Sequence, residues 1–285
     1  MIVLKYIFAI LVAFLAFDSY IFGYGNLNPK EDYSVGKNYE NVFLRTKEGY
    51  LYKCWYIKTQ GQEQKPVILY FLGNGGFIEG NIKIYDKLVM ELDVDIFSCS
   101  NRGSGSNEGK ATEIDLYSDA EMYINYLKKR NPPHIFVFGR SMGGAVAIEL
   151  AHKHQDDITG LIVQNTFLSL KKLAKYSHAF LYFFLINYNL IIRSKMDNES
   201  KIKEINIPTL INVSLMDEVV PPFHSELLYK LSTSKIKVLY SSLKGTHNNI
   251  TKGDGRNYYV TFKEFINNSI AARENREREQ IAIAN

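Results

Sequence analysis

The feature that most constrains the fold is a series of short apolar runs along the chain. They are VILYFL at 67–72, VDIFSCS at 94–100, HIFVFG at 134–139, GLIVQNT at 160–166, TLINVS at 209–214 and KVLYSS at 237–242. Continuous runs of this length are typical of strands that are buried on both faces. Apolar residues with a helical period occur over 114–129, 145–154 and 258–271. Strands that alternate with helices predict an α/β fold, with a mostly parallel central sheet flanked by helices.

One large domain accommodates these elements. The segment 41–57 predicts a hairpin of two strands around Lys47-Glu48-Gly49, and we expect the domain to span 39–272, followed by a charged tail over 273–285. With 46% hydrophobic and 22% charged residues, the 285-residue chain can bury a substantial core. The net charge of +4 is mild and the basic residues are scattered along the sequence, so we expect no nucleic-acid partner.

The first 23 residues differ from the rest of the chain. Tyr6 to Phe17 is uninterrupted apolar sequence, with Lys5 before it and Asp18 after it. We expect residues 1–23 to be an uncleaved transmembrane signal anchor and 24–38 a linker; a cleaved signal peptide and a core helix stay open as alternatives. Lys5 favours a cytosolic amino terminus, so the expected topology is single-pass type II, with the main domain luminal or extracellular.

A second apolar segment lies between two strand candidates. Residues 168–194 are aromatic-rich and longer than a simple crossover requires. We expect a helical cap insertion over about 167–200, covering a site. An ordinary packed crossover and a membrane contact remain alternatives.

The two cysteines, Cys54 and Cys99, each lie within a strand-like run. Their spacing predicts neither a disulfide framework nor a zinc site, so we expect two buried thiols and no metal.

The chemistry is indicated by Gly139-Arg140-Ser141-Met142-Gly143, which fits G-x-S-x-G between a strand and a helix. The glycines let strand and helix approach closely, so the Ser141 hydroxyl is lifted clear of the sheet. The backbone N–H of Met142, beside the helix amino terminus, is a candidate donor to an oxyanion.

A serine nucleophile needs a base, and the base needs an orienting acid. In a sheet of this kind both should follow late strands, in the order Ser, Asp, His. Asp217 follows the strand at 209–214 and His247 follows the one at 237–242. We therefore predict Ser141, Asp217 and His247 as the catalytic residues, with Glu218 as a rival to Asp217.

The loop after the strand at 67–72 reads Leu72-Gly73-Asn74-Gly75-Gly76. Its small residues allow a backbone N–H to point into the site, so Asn74 is the predicted second oxyanion donor, with Gly73 and Gly75 close alternatives. The loop fits neither glycine-rich nucleotide motif, and we expect no cofactor.

Together these residues resemble the α/β-hydrolase superfamily, and more narrowly the membrane-anchored abhydrolase-domain serine hydrolases related to the yeast bud-emergence protein and the protein depalmitoylases. The resemblance runs from about 39 to 270 and includes the elbow at 139–144, the acid loop at 217–222 and the base loop at 245–248. Leu72 and Phe77 replace polar residues of that family, and Asn101 and Ser104 replace aromatic ones. We therefore expect Leu72 and Phe77 to form an apolar, substrate-binding rim, and the resemblance implies that Arg102 either positions the early loop or forms a surface salt bridge.

The expected function is that of a membrane-anchored serine hydrolase that cleaves esters or thioesters through an acyl-enzyme. The anchor, the aromatic cap and the apolar rim favour a lipid or an acylated protein as substrate. A peptidase, a hydrolase of small esters, and a catalytically inactive membrane-tethered scaffold are the alternatives.

Overall fold

The computed structural model describes residues 38–61, 63–177 and 194–284. The expected anchor, nearly all of the linker, and the cap residues 178–193 lie outside these described residues. Within the described ranges, no helix combines the length and apolarity that a membrane crossing requires.

The described ranges form one eight-stranded sheet, ordered β1-β2-β4-β3-β5-β6-β7-β8. The first two strands and the β2–β4 pair are antiparallel, and all other neighbours are parallel. The strands are β1 Tyr39–Arg45, β2 Leu51–Ile57, β3 Val67–Phe71, β4 Asp95–Cys99, β5 Ile135–Arg140, β6 Gly160–Gln164, β7 Thr209–Ser214 and β8 Lys237–Ser242. All the predicted strands are confirmed. Almost every position in β3 to β7 is buried, which explains the unbroken apolar runs in the sequence.

Seven α-helices fall within the described ranges. They are α1 Ile82–Leu92, α2 Glu113–Arg130, α3 Met142–Lys153, α4 Leu170–Ser177, α5 Asn198–Lys201, α6 Phe223–Leu231 and α7 Gly255–Ala284. Helix α2 begins at a capping threonine, since the Thr112 hydroxyl accepts from the Asp115 N–H at 3.2 Å. Helix α7 continues through the segment predicted as a charged tail, where Arg273–Glu277 and Glu274–Arg278 pair one turn apart.

The sheet separates two hydrophobic clusters. Helices α2, α3 and α6 cover one face, with Ala120, Val146 and Leu228 in its cluster. Helices α1 and α7 cover the other, where Leu88 and Phe262 are buried. The parallel strands therefore have both faces covered, and their carboxyl ends meet at one edge, where ligands bind in sheets of this kind.

The expectation of two buried thiols is wrong, because Cys54 and Cys99 form a disulfide. They lie directly opposite each other in the antiparallel β2–β4 pair. The sequence does not reveal this pairing, because it depends on the strand order. In the sheet β4 lies between β2 and β3, so β2 is next to β4 although β3 follows it in the chain. Disulfides are typical of oxidising compartments.

Candidate active site

Ser141 occupies the sharp turn between β5 and α3. Its φ of 54° and ψ of −123° place it in a region that non-glycine residues rarely adopt. A Cβ on Gly139 would lie 2.1 Å from the Gly143 oxygen, and one on Gly143 would lie 2.3 Å from the Phe71 oxygen. Only glycine fits at these two positions, so the G-x-S-x-G pattern is required by how closely the strand and helix approach.

The structure brings Ser141, Asp217 and His247 together. His247 Nε2 lies 3.1 Å from Ser141 Oγ, and His247 Nδ1 lies 2.8 Å from Asp217 Oδ2. The Asp217 side chain is 1% exposed, and its Oδ1 also accepts the N–H groups of Val219 and Val220 at 2.9 and 2.8 Å. With the Nδ1 proton donated to Asp217, Nε2 is left free to accept the proton of the Ser141 hydroxyl.

Glu218, the rival acid, has a different position. Its Oε2 accepts from the backbone N–H of His247 at 3.2 Å, and the imidazole is bonded to Asp217 instead. Hydrogen bonds from the backbone N–H groups of Glu218 itself and of His247 lower the pKa of the Glu218 carboxyl. Glu218 thus secures the loop that carries the imidazole.

Asn165, which the sequence analysis did not single out, connects the acid and base loops. It follows β6 with a φ of 50°. Its Oδ1 accepts from the Ser214 N–H at 2.9 Å, and its Nδ2 donates to Ser214 Oγ and to the His247 carbonyl, both at 3.0 Å. Ser214 ends the strand that precedes Asp217, so one buried amide ties the two loops together. An asparagine directly after an apolar strand was the only available signal, and it is a weak one.

The early loop lies against the nucleophile. A Cβ on Gly73 would be 3.6 Å from that of Ser141. The Gly73 carbonyl accepts from Asn101 Nδ2 at 2.7 Å and from the Gly76 N–H at 3.0 Å, while Gly75 has a φ of 63°. Asn74 is exposed in this turn, and Met142, which directly follows Ser141, is the first residue of helix α3.

Two expected rim residues differ in their surroundings. Leu72 is 2% exposed and packs in the core cluster on the α1/α7 face. Phe77 is half-buried, and its ring and Cβ lie against Gly80 and Gly105. Their expected role in binding substrate stays a prediction.

Arg102 does not form the contact suggested by the resemblance. It is 4% exposed and donates to Asp119 at 2.7 and 3.1 Å and to Glu48 at 3.4 Å. The neighbouring Asn101 holds the early loop instead. Arg102 therefore forms the salt bridge that was the alternative expectation, but its principal partner, Asp119 on helix α2, is buried and not at the surface.

Comparison with known proteins identifies the family. A family described as "Serine aminopeptidase, S33" matches residues 76–195. The α/β-hydrolase domain-containing protein WAV2 of Arabidopsis thaliana is 30% identical, over 80% of this chain and 78% of its own length. Protein bem46 of Schizosaccharomyces pombe is 32% identical over 84% and 79%. The chain belongs to the α/β-hydrolase family.

Further similarities indicate the range of activities and locations within this group. The uncharacterized membrane protein YNL320W of Saccharomyces cerevisiae is 31% identical, over 82% of this chain and 81% of its own length. The lysophosphatidylserine lipase ABHD12 of Danio rerio is 31% identical over 62% and 50%. The Pyrococcus furiosus esterase Pf2001 shares the fold, with a TM-score of 0.68 at 18% identity over 87% of this chain and 98% of its own. These similarities agree with the α/β-hydrolase fold and family of this chain.

Proposed function

We propose that the protein is a serine hydrolase that cleaves carboxylic esters or thioesters through an acyl-enzyme. The observation that carries the proposal is the chain of contacts from Ser141 Oγ to His247 Nε2 at 3.1 Å and from His247 Nδ1 to Asp217 at 2.8 Å. This is the arrangement in which a hydroxyl becomes a nucleophile at neutral pH.

In the proposed mechanism, His247 takes the proton of Ser141 as its oxygen attacks the acyl carbon. Asp217 orients the imidazole and stabilises its positive charge. The backbone N–H groups of Met142 and Asn74 donate to the oxyanion, and the start of helix α3 adds favourable partial charge. His247 then protonates the leaving group, and the same residues activate water to release the acid.

Labelling with a fluorophosphonate probe tests the nucleophile. The wild-type protein and the matched control Ser106→Ala, an exposed serine, should label, while Ser141→Ala should not. Equal labelling of Ser141→Ala and wild type would rule out Ser141 as the nucleophile and would favour the scaffold alternative.

We propose a lipid or an acylated protein as the substrate. The aromatic-rich cap sequence and the apolar N-terminal segment support this, as does a relative named as a lysophosphatidylserine lipase. The description of the matching family as a serine aminopeptidase supports the peptidase alternative.

Hydrolysis rates measured over a series of acyl esters, thioesters and aminoacyl amides would separate these substrates. We expect kcat/KM to rise with acyl-chain length, because each buried methylene contributes about 0.8 kcal/mol of binding. Preference for short acetyl esters would favour the small-ester alternative, and preference for the amides would favour a peptidase.

For location, we propose that residues 1–23 anchor the protein in a single-pass type II arrangement, with the domain over 39–272 luminal or extracellular. A relative is named as a membrane protein, and the Cys54–Cys99 disulfide favours an oxidising compartment. Retention in the membrane after carbonate extraction, lost on deletion of residues 1–23, tests the anchor. Release of the full-length chain by carbonate would contradict it.

A further inference from the structure

A large cavity lies beside the candidate catalytic site, between helices α1 and α7. Its volume is about 780 Å³, within the range of small-molecule sites. Its walls include the aromatic side chains of Tyr70, Phe138, Tyr258 and Tyr259. Ser141 and His247 do not line it, but their chain neighbours Arg140 and Asn248 do.

The cavity concentrates positive charge. Five basic side chains line it against one carboxylate, Glu91, and they are Lys83, Lys87, Arg140, Arg256 and Lys263. Glu91 already pairs with Lys87 at 2.8 Å. Within the described ranges, no carboxylate lies within salt-bridge distance of the other four. Since the whole chain carries a formal net charge of only +4, this excess is strongly localised.

Arg140 brings a guanidinium group to the wall of the cavity. It ends β5 on the α1/α7 face, and its Nε is buried with no hydrogen-bond partner among the residues that the structure describes. The Arg140 side chain as a whole is only partly buried and lines the cavity, so its guanidinium can reach an acceptor there. Guanidinium groups bind phosphate and carboxylate oxygens in a planar, often bidentate geometry.

Neutral polar groups add to the cavity. Gln164 is buried, and its Oε1 accepts from the Tyr258 hydroxyl at 2.9 Å. Asn248 and Asn249 line it from the loop that carries His247. The lining therefore combines cations, hydrogen-bonding groups and aromatic rings, and an inorganic ion alone would use only the first two.

We propose that this cavity is a second ligand site that binds a phosphate ester. The phosphate would accept from Arg140 and from the lysines of α1 and α7, and the organic part would pack on the aromatic walls. Because Arg140 precedes Ser141 and Asn248 follows His247, an occupant contacts both segments that hold the catalytic site. The proposal does not depend on the hydrolase chemistry, since binding requires neither Ser141 nor turnover.

Two sources supply this chemistry, a soluble phosphate ester and a lipid headgroup, and the test has an arm for each. Full-length Ser141→Ala protein in nanodiscs of neutral lipid is titrated with glycerol 3-phosphate by calorimetry. The second arm measures binding of lysophosphatidic acid to the same protein in neutral nanodiscs. Inorganic phosphate and glycerol are the reference probes.

Saturable binding of either phosphate ester is expected, with affinity reduced about tenfold or more by Arg140→Met and by the triple variant Lys83→Gln, Lys87→Gln, Lys263→Gln. The matched triple variant Lys110→Gln, Lys129→Gln, Lys235→Gln removes the same charge from exposed positions outside the cavity and should change affinity by less than about twofold. Binding in both arms indicates a site open to soluble esters, and binding in the lipid arm alone assigns the site to a headgroup.

The proposal is overturned if neither ester binds, or if the cavity triple variant and its matched control bind equally well. Inorganic phosphate that binds as tightly as both esters would overturn the role of the aromatic walls. Thermal midpoints of all variants show whether a loss of binding reflects unfolding, and Lys263→Glu, a single exposed change, provides a variant that should fold normally and still weaken binding.

Discussion

Arg102 and Arg140 both follow or end buried strands near the carboxyl edge of the sheet, yet their surroundings differ. Arg102, on the α2 side, is 4% exposed and its guanidinium is bonded to Asp119 and Glu48. Arg140, on the α1/α7 side, has a buried Nε that finds no hydrogen-bond partner within the described part of the chain. A buried charge is costly unless it is paired, so Arg102 is completed by the fold, whereas the partly exposed Arg140 is left to solvent or to an occupant of the cavity.

The same contrast between paired and unpaired polar atoms applies to two other buried side chains near the site. The Asn165 side chain uses both its oxygen and its nitrogen. His224 is only half satisfied, since its Nδ1 accepts from the Leu168 N–H at 3.3 Å while its buried Nε2 has no partner among the described residues. We expect the energetic cost of a substitution to follow the degree of pairing, which the following changes test.

The largest effect is expected for Asp119→Asn, which leaves Arg102 buried beside a neutral group. The free energy of unfolding should fall by about 3 kcal/mol, because removing one partner of a buried ion pair uncovers the other charge. Urea unfolding measures this, with the exposed Asp156→Asn as a control that should change stability by less than about 0.5 kcal/mol. A loss no larger than that of the control would mean that Glu48 alone suffices for Arg102.

Next is Asn165→Gly, which keeps the positive φ but removes the amide that joins the acid and base loops. We expect a loss of about 2 kcal/mol in stability and a fall in kcat on the order of tenfold, since the imidazole is then held less firmly. Asn131→Gly is the matched control, because Asn131 has a φ of 51° with an exposed side chain. Equal effects on kcat from the two variants would contradict the positioning role of Asn165.

An effect of similar size, but dependent on pH, is expected at His224. Burial lowers the pKa of His224 from 6.5 to about 4, so the unfolded chain binds the proton more readily than the folded one. Its contribution is fully present above pH 6.5 and is lost as pH falls toward 4, about 2 kcal/mol between pH 7 and pH 5. His224→Asn retains an acceptor for Leu168 without this titration.

Unfolding free energies of wild type and His224→Asn at pH 7, 6 and 5 measure this contribution. Between pH 7 and pH 5, the free energy of unfolding should fall by about 2 kcal/mol more in the wild type than in His224→Asn. Parallel curves would show that His224 protonates equally readily in the folded and unfolded states.

The smallest effect is expected for Arg140→Met without ligand. Since no partner is left uncompensated, the free energy of unfolding should change by less than about 1 kcal/mol, whereas Arg102→Met should cost about 3 kcal/mol by leaving Asp119 unpaired. Comparable losses of unfolding free energy in the two variants would show that Arg140, like Arg102, is already paired within the folded protein. The contrast between the two arginines would then be wrong.

Much of the fold and the candidate site was predictable because the signals are local. A strand buried on both faces is largely apolar along its length, so these strands could be located from continuous apolar runs in the sequence. The turn at Ser141 requires glycine on both sides for steric reasons. Asp217 and His247 could be chosen because residues that follow parallel strands meet at one edge of the sheet.

The remaining features depend on which elements become neighbours in space. The Cys54–Cys99 disulfide follows from the order of strands in the sheet, and Asn165 acquires its role only when β6 and β7 are paired. The basic residues appear scattered in the sequence, yet α1 and α7 pack on the same face and bring Lys87 and Lys263 around one cavity. Composition and periodicity determine which residues are buried, but long-range packing decides which charges and side chains meet there.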